Sequence, residues 1–294
     1  MITVRNLTKT FGEHTAVADV SFTLEAHTST ALIGPNGAGK TTVLSMLTGL
    51  LAPTSGTIEM KGVKDMRKEI GFLPQYPQFF PWLTALEFTE MTAKLSGISG
   101  KEARKEGEKV LAFVGLEEAM HKKIATFSGG MKQRLGIAQA IVHKPKVLLL
   151  DEPVSALDPI GRREMMNLLK ELQQQTTILY STHILNDAEE MTDQLLFLRK
   201  GILVEQGSLI DIRKKFDAPR YKIDFETEEE ALQFVSQSQL HATVTGSSVS
   251  IEIIEDAPSM KQLMERLVAS TFHVKKVERV TASLEEIFLE VAGR

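Results

Sequence analysis

The chain has 294 residues, a formal net charge of −4, 43% hydrophobic and 24% charged residues, and no cysteine. That length allows one or two domains with full cores, and the slightly acidic balance argues against a broad nucleic-acid-binding surface, so no nucleic-acid partner is expected. Without cysteine there are no disulfides, zinc–cysteine sites or thiol nucleophiles; with no apolar run of about 20 residues and no secretory core in MITVRNLTKTFGEH, a cytoplasmic protein is expected.

From residue 1 to about 216, β-branched and aliphatic runs alternate with helical periods, which predicts an α/β fold built on a mainly parallel sheet. The strand TALIG leads into GPNGAGKTT, residues 34–42, and then into the helical TTVLSMLTGLL. Gly34, Gly39, Lys40 and Thr41 match G-x-x-x-x-G-K-[ST] in the strand–loop–helix context that pattern requires. The loop Gly34-Pro35-Asn36-Gly37-Ala38-Gly39 can turn its backbone N–H groups inward, and Lys40, Thr41 and Thr42 open a helix whose dipole favours an anion. Lys40 suits the terminal phosphates of a polyphosphate, and Thr41 offers a hydroxyl to Mg²⁺. The bland alternative is a glycine-rich turn with an exposed lysine.

A second strand, EIGFLP, ends at Gln75, whose amide can reach a metal or an attacking water. YPQFFPWLTALEF follows, with Phe79, Phe80, Trp82 and Leu83 forming either the core of the next segment or a docking surface. Helices are predicted from Glu87 to Leu95, Lys101 to Val114 and Met131 to Val142, a helical subdomain over about 87–143. In FSGGMKQR, Ser128 is a favourable N-cap. Gly129 and Gly130 would weaken a helix needing only a cap, by up to about 1 kcal/mol each, so this helix start is read as a second anion site.

KVLLLDEP is apolar at successive positions, as in a strand covered on both faces. At its end Asp151 can hold Mg²⁺ through water, or cap the next turn, and Glu152 can orient or deprotonate a water attacking a γ-phosphate. TTILYSTH ends at His183, placed to donate to the same phosphate. From Asp217 onward the composition changes. YKIDFE, EEALQFVSQ, HATVTG, SVSIEII, SMKQLMERLVAS, VKKVERVT and SLEEIFLEVAG read as β-α-β-β-α-β plus a helix. That is the ferredoxin-like order, a small α+β domain over 217–294 joined by DIRKKFDAPR.

In order and spacing, GPNGAGKTT, Gln75, FSGGM, LLLDEP, SALD at 155–158 and His183 resemble the ATP-binding cassette family over about residues 1–216. The resemblance implies a P-loop NTPase cassette using ATP and Mg²⁺. It implies two cassettes facing head to tail, each Ser128-Gly129-Gly130 holding the γ-phosphate on the other, so that the partner is a second copy or a paralogous cassette. Phe11 would stack on adenine, and Asp158 would lie at the junction and position the opposite site. Here Phe127 and Met131 replace the leucine and glutamine of the common LSGGQ, which removes an amide contact but keeps the phosphate donors.

The resemblance further implies separate transmembrane permease subunits and a peripheral position on the cytoplasmic face of the membrane. SGGM and the trailing SLEEIFLEVAG resemble the export branch of multidrug, antibiotic-resistance and sodium-extrusion type. No guanine-reading N-K-x-D occurs, the segment between Gly39 and Ser128 is too short for a structural-maintenance coiled coil, and there is one cassette, not the usual translation-factor pair. The remaining alternative is a soluble ATPase of this type acting on the ribosome or DNA.

Overall fold

A computed structural model describes the chain except for residues 1, 156, 217, 218, 239, 254–256 and 294 and the side chains of 292 and 293. Ala156 of SALD, and Asp217 and Ala218 of the expected linker and boundary, therefore lie outside the described residues. The chain divides into two compact units, Met1–Leu209 and Ile210–Arg294.

The first unit opens with an antiparallel hairpin of β1 (Ile2–Phe11) and β2 (His14–Leu24), whose turn carries Gly12 at φ 57°. Then come β3 (Ser29–Ile33), α1 (Lys40–Leu47) and β4 (Ser55–Met60), and β4 pairs with β1 to complete a three-stranded sheet, β2-β1-β4. Next are β5 (Ile70–Leu73), α2 (Ala85–Leu95), α3 (Gly100–Phe113) and α4 (Gly129–Ile141). The remainder is β6 (Val147–Asp151), α5 (Pro159–Gln173), β7 (Thr177–Thr182), α6 (Leu185–Met191), β8 (Gln194–Arg199) and β9 (Ile202–Ser208).

A second sheet runs β5-β6-β7-β3-β8-β9, parallel from β5 to β8 with β9 antiparallel at the edge. Every residue of β3, β6 and β7 is buried, as expected where both faces of a parallel sheet are covered. Helix α1 buries Val43, Leu44, Met46 and Leu47 in a core shared with Ile2, Val4, Leu24 and Phe22 of the three-stranded sheet and Leu32, Leu149, Leu179 and Leu196 of the parallel one. Each such side chain contributes about 1.5–3 kcal/mol by leaving water. Because α1 is gripped from two sheets, the loop at its N-terminus is rigidly placed.

Two helices begin two residues before their predicted starts. At α2, Thr84 Oγ1 accepts from Glu87 N at 3.2 Å while Glu87 Oε2 accepts from Thr84 N at 2.8 Å. This capping box makes Glu87 the third residue of the helix and not its first. At α4, Ser128 Oγ accepts from Met131 N at 3.2 Å, so Gly129 and Gly130 form the first turn. Helices α2 and α3 then pack through Ala93 and Ala103 with Val142.

The second unit takes up the chain within α7 (Leu209–Lys215) and continues as β10 (Arg220–Phe225), α8 (Glu228–Ser238), β11 (Ala242–Thr245), β12 (Ser248–Glu252), α9 (Met260–Val268), β13 (Val274–Val280) and α10 (Leu284–Gly293). The sheet order β11-β12-β10-β13 is antiparallel throughout, which is the ferredoxin-like arrangement. Alternate residues Tyr221, Ile223 and Phe225 of β10 enter its core, where Phe225 stacks with Phe234 at 5.2 Å and meets Phe272 edge-on at 6.0 Å.

Glycine sets the fit of α4 onto the sheet. A Cβ on Gly71 of β5 would lie 2.1 Å from the Ala140 carbonyl oxygen, a backbone atom that cannot swing aside. We expect Gly71→Ala to lower stability by about 1–3 kcal/mol in urea unfolding, the usual cost of overpacking. Gly100→Ala, where a Cβ meets only the end of Lys94 at 3.7 Å, should show no loss. Equal stability of the two variants would refute this account of the β5–α4 contact.

Candidate functional site

The strand order places the chemistry. In the adjacent parallel strands β5, β6, β7 and β3, the carboxyl ends lead in turn to Gln75, to Asp151 and Glu152, to Ser181 and His183, and to the loop 34–39. Ligands of open α/β sheets bind at this edge. A cavity of about 420 Å³ opens there, lined by His14, Ala16, Asn36 to Thr42, Gln75 and Glu152.

The loop is a cradle held to shape by its glycines. Gly37 and Gly39 adopt φ 78° and 104°, a region that suits glycine, and a Cβ on Gly37 would meet nothing within 4 Å. Its open side is free for a ligand. On the closed side, a Cβ on Gly39 would lie 2.7 Å from Ala16 O, and one on Gly34 2.3 Å from Leu198 O. Lys40 is buried, and its Nζ donates to Gly34 O at 2.7 Å and Pro35 O at 3.2 Å. Burial pulls the Lys40 ammonium below its ordinary pKa, opposed by the Glu152 and Asp151 carboxylates. An anion in the cradle would relieve that strain on its charge.

Glu152 is 8% exposed, and its carboxylate is surrounded by donors. Oε2 accepts from Gln75 Nε2 at 3.2 Å, Oε1 lies 3.1 Å from His183 Nδ1, and Lys40 Nζ is 3.9 Å from Oε1. The histidine contact is a hydrogen bond when Nδ1 carries the proton. Glu152 also sits at φ 51°, a left-handed conformation costly for a side-chain-bearing residue, so its surroundings must hold it there. One support is Ser181, whose Oγ accepts from Glu152 N at 2.9 Å and donates to Asp151 Oδ1 at 2.5 Å. Asp151 itself is 1% exposed.

Thus Lys40, Gln75 and Glu152 line one cavity with Asn36, Gly37, Ala38, Gly39, Thr41 and Thr42, Gly34 and Pro35 are tied to Lys40, and His183 and Asp151 stand behind that wall, His183 on the Glu152 carboxylate and Asp151 on Ser181. The hydroxyl of Thr41, the remaining amide oxygen of Gln75 and the Asp151 carboxylate are all hard oxygen donors, the kind that fits Mg²⁺. Ser181, His14 and Ala16 were missed from sequence. For Ser181 the available signal was its position in the strand TILYST, two residues before His183.

Other candidates lie elsewhere. Phe11 is 50% exposed, pairs across the hairpin with His14, and carries Lys9 Nζ 5.1 Å from its ring centroid. Ser128, Gly129 and Gly130 are not part of the cavity wall, and a Cβ on Gly129 would meet open space. Asp158 caps α5, its Oδ1 accepting from Gly161 N at 2.7 Å. In the aromatic cluster Phe79 and Phe80 both meet buried Phe88 edge-on, at 5.2 and 6.4 Å, while Tyr76, Phe80 and Trp82 keep exposed surface.

Residues 17–155 match the family model described as ABC transporter, and residues 207–292 match the C-terminal domain of DrrA1-3-like ATP-binding proteins. The chain is similar to the uncharacterized ABC transporter ATP-binding protein YxlF of Bacillus subtilis (strain 168), 41% identical over 294 residues and covering 99% of each chain. It is 33% identical over 304 residues to the Nod factor export ATP-binding protein I of Burkholderia lata, covering all of this chain and 97% of that one. Among solved structures it is similar to the dimeric post-hydrolysis state of the ATP-binding cassette MJ0796 bound to ADP and Pi, at 30% identity and TM-score 0.65, over 71% of this chain and 99% of that one.

Ser181→Ala should leave Asp151 without its donor and Glu152 N without its acceptor. Hydrogen bonds to charged groups contribute about 1.5–3 kcal/mol, so turnover at saturating ATP should fall roughly ten- to hundredfold while nucleotide affinity changes little. Wild-type turnover in this variant would show that Ser181 does not organise the pair.

Proposed function

This chain belongs to the family of ABC transporter ATP-binding proteins and is an ATPase, and from that premise we propose that it drives an exporter by closing with a second cassette around ATP. What carries the reading is the placement of two helix starts on one chain. The N-terminus of α1 opens into the cavity beside Lys40, whereas the N-terminus of α4, with Ser128, Gly129 and Gly130, is exposed outside it. A helix start with bare N–H groups is an anion site, and one that cannot serve its own cavity suits the cavity of a partner. The similar MJ0796 cassette is dimeric with ADP and Pi.

In this reading Lys40 and the loop Gly34 to Gly39 hold the phosphates. Glu152 accepts the proton of the attacking water, and His183 and Gln75 hold the glutamate and the water in line. Thr41, Gln75 and Asp151 would hold Mg²⁺, which would supply charge neutralisation on the phosphates. Phe11 meets the base, and Asp158 borders the opposite site. The second cassette is another copy of this chain or a paralogue.

No helix among the described residues is long and apolar enough to cross a membrane. In this reading the permease is a separate set of subunits, and the chain works at the cytoplasmic face of the membrane through them. Exposed Tyr76, Phe80 and Trp82, directly after Gln75, form the docking surface, since a Trp 65% exposed beside two other aromatics suits a buried contact with a partner. Export is favoured by the DrrA-like C-terminal domain and by the export protein among the relatives.

Glu152→Gln should keep ATP binding, slow hydrolysis by roughly 10²–10⁴-fold, and accumulate dimers in size-exclusion chromatography with ATP and Mg²⁺. Adding Ser128→Arg should abolish those dimers and spare ATP binding. A Glu152→Gln protein that stays monomeric refutes the closure. Separately, Phe80→Ala with Trp82→Ala should lose co-purification of a polytopic membrane protein from detergent extracts without loss of ATPase activity. Retained co-purification would move the docking surface elsewhere.

A further inference from the structure

Three consecutive residues of α5 hold helices on both of its sides. Arg162 Nε faces Asp187 Oδ2 of α6 at 3.8 Å, and Arg163 Nη1 donates to both oxygens of Glu190 of α6 at 2.7 and 2.6 Å. On the other side Glu164 Oε2 accepts from Arg134 Nη2 of α4 at 2.6 Å. Arg134 in turn donates through Nη1 to Val114 O at 2.8 Å, so its guanidinium fork is fixed at two points.

The helices joined in this way lead to different functional places. Helix α4 starts at the exposed Ser128, α5 starts at Asp158, and α6 directly follows His183, which holds Glu152. A second link runs the same way, since buried Gln133 of α4 donates to Pro153 O at 2.9 Å, beside Glu152. Displacement of α4 therefore has a short rigid route to the hydrolytic glutamate.

The contact between Arg162 and Asp187 is incomplete. Neither Arg162 Nε nor Asp187 Oδ2 has a hydrogen-bond partner although both atoms are buried, and 3.8 Å is too long for one. Burial pushes the Asp187 carboxyl up from its ordinary pKa, with Arg162 pulling the other way. A small approach of α5 and α6 would form a charge-assisted hydrogen bond, which makes the pair sensitive to sub-ångström shifts.

We propose that the run Arg162-Arg163-Glu164 couples the two phosphate sites of one protomer, carrying engagement of the partner's ATP at Ser128 through α4 and α5 to His183. These are positioning residues: none lines the cavity, and they act by setting where α4 and α6 stand. The coupling rests on the reading that Ser128 serves a partner's nucleotide. It gives each protomer a means to hydrolyse its own ATP only when the opposite one is in place. Energetic coupling of this kind requires groups with two arrangements, and the second would form where Arg162 and Asp187 stand 3.8 Å apart without a hydrogen bond.

The test is the ATP dependence of hydrolysis by the full-length protein with Mg²⁺. Wild type should be cooperative, with a Hill coefficient approaching the two sites of the dimer, and Glu164→Gln and Arg163→Gln should each bring it to about one. Glu164 is 57% exposed and its pair contributes little stability, so a folded variant is expected. ATP affinity of the monomer should stay at the wild-type value. An unchanged unfolding midpoint beside that unchanged affinity excludes a general loss of structure. Variants of a cooperative dimer that remain cooperative overturn the coupling alone. A wild type that is monomeric in ATP with a Hill coefficient of one overturns the dimer reading and the coupling together.

Discussion

The carboxylate of Glu152 is buried, and burying a charge is costly unless hydrogen-bond donors meet it. That requirement accounts for much of the cassette. Gln75 comes from the end of β5, His183 from the end of β7, and Lys40 from the start of the helix after β3, so four neighbouring strands are needed to satisfy one side chain. The left-handed backbone at Glu152 is kept by Ser181, which also fixes Asp151. The same logic explains Lys40, whose ammonium turns back onto the loop carbonyls at 34 and 35. A polyphosphate would replace those carbonyls with stronger acceptors.

A site so complete on one side is still open on the other. The cavity wall is formed by the phosphate loop, His14, Ala16, Gln75 and Glu152, and nothing from α4 contributes to it. The helix start at Ser128 is exposed and does not line this cavity. On the proposed reading α5 stands between two half-sites of one molecule, the chemistry depends on a neighbour, and hydrolysis and closure are one event that a permease can feel.

Much of this was legible in the residues because the relevant signals are local. The phosphate loop is a contiguous string, and the apolar run of β6 with its acidic end announces a strand covered on both faces. The order of elements after residue 217 follows from alternating periods. What escaped notice depends on pairing across the chain. Ser181 matters because it stands opposite Asp151 in the β6–β7 register, which no single-strand pattern reveals. The three-stranded sheet went unread because bulges in β1 between Val4 and Leu7, Leu7 and Lys9, and Lys9 and Thr10 break the alternation of its apolar residues. The aromatic stretch after Gln75 had two readings, core or docking surface; Phe79 and Phe80 both pack on Phe88, and Phe80 and Trp82 also keep exposed surface.

The absence of cysteine makes the central claim open to direct measurement. One preparation carries Ser128→Cys and another Asn36→Cys, each in the Glu152→Gln background, and the two are mixed and oxidised with and without ATP and Mg²⁺. A disulfide between the two kinds of molecule, formed only with ATP, is the predicted result, because each Ser128 should then stand over the other's phosphate loop. Dimers that form in ATP without that cross-link would contradict the account.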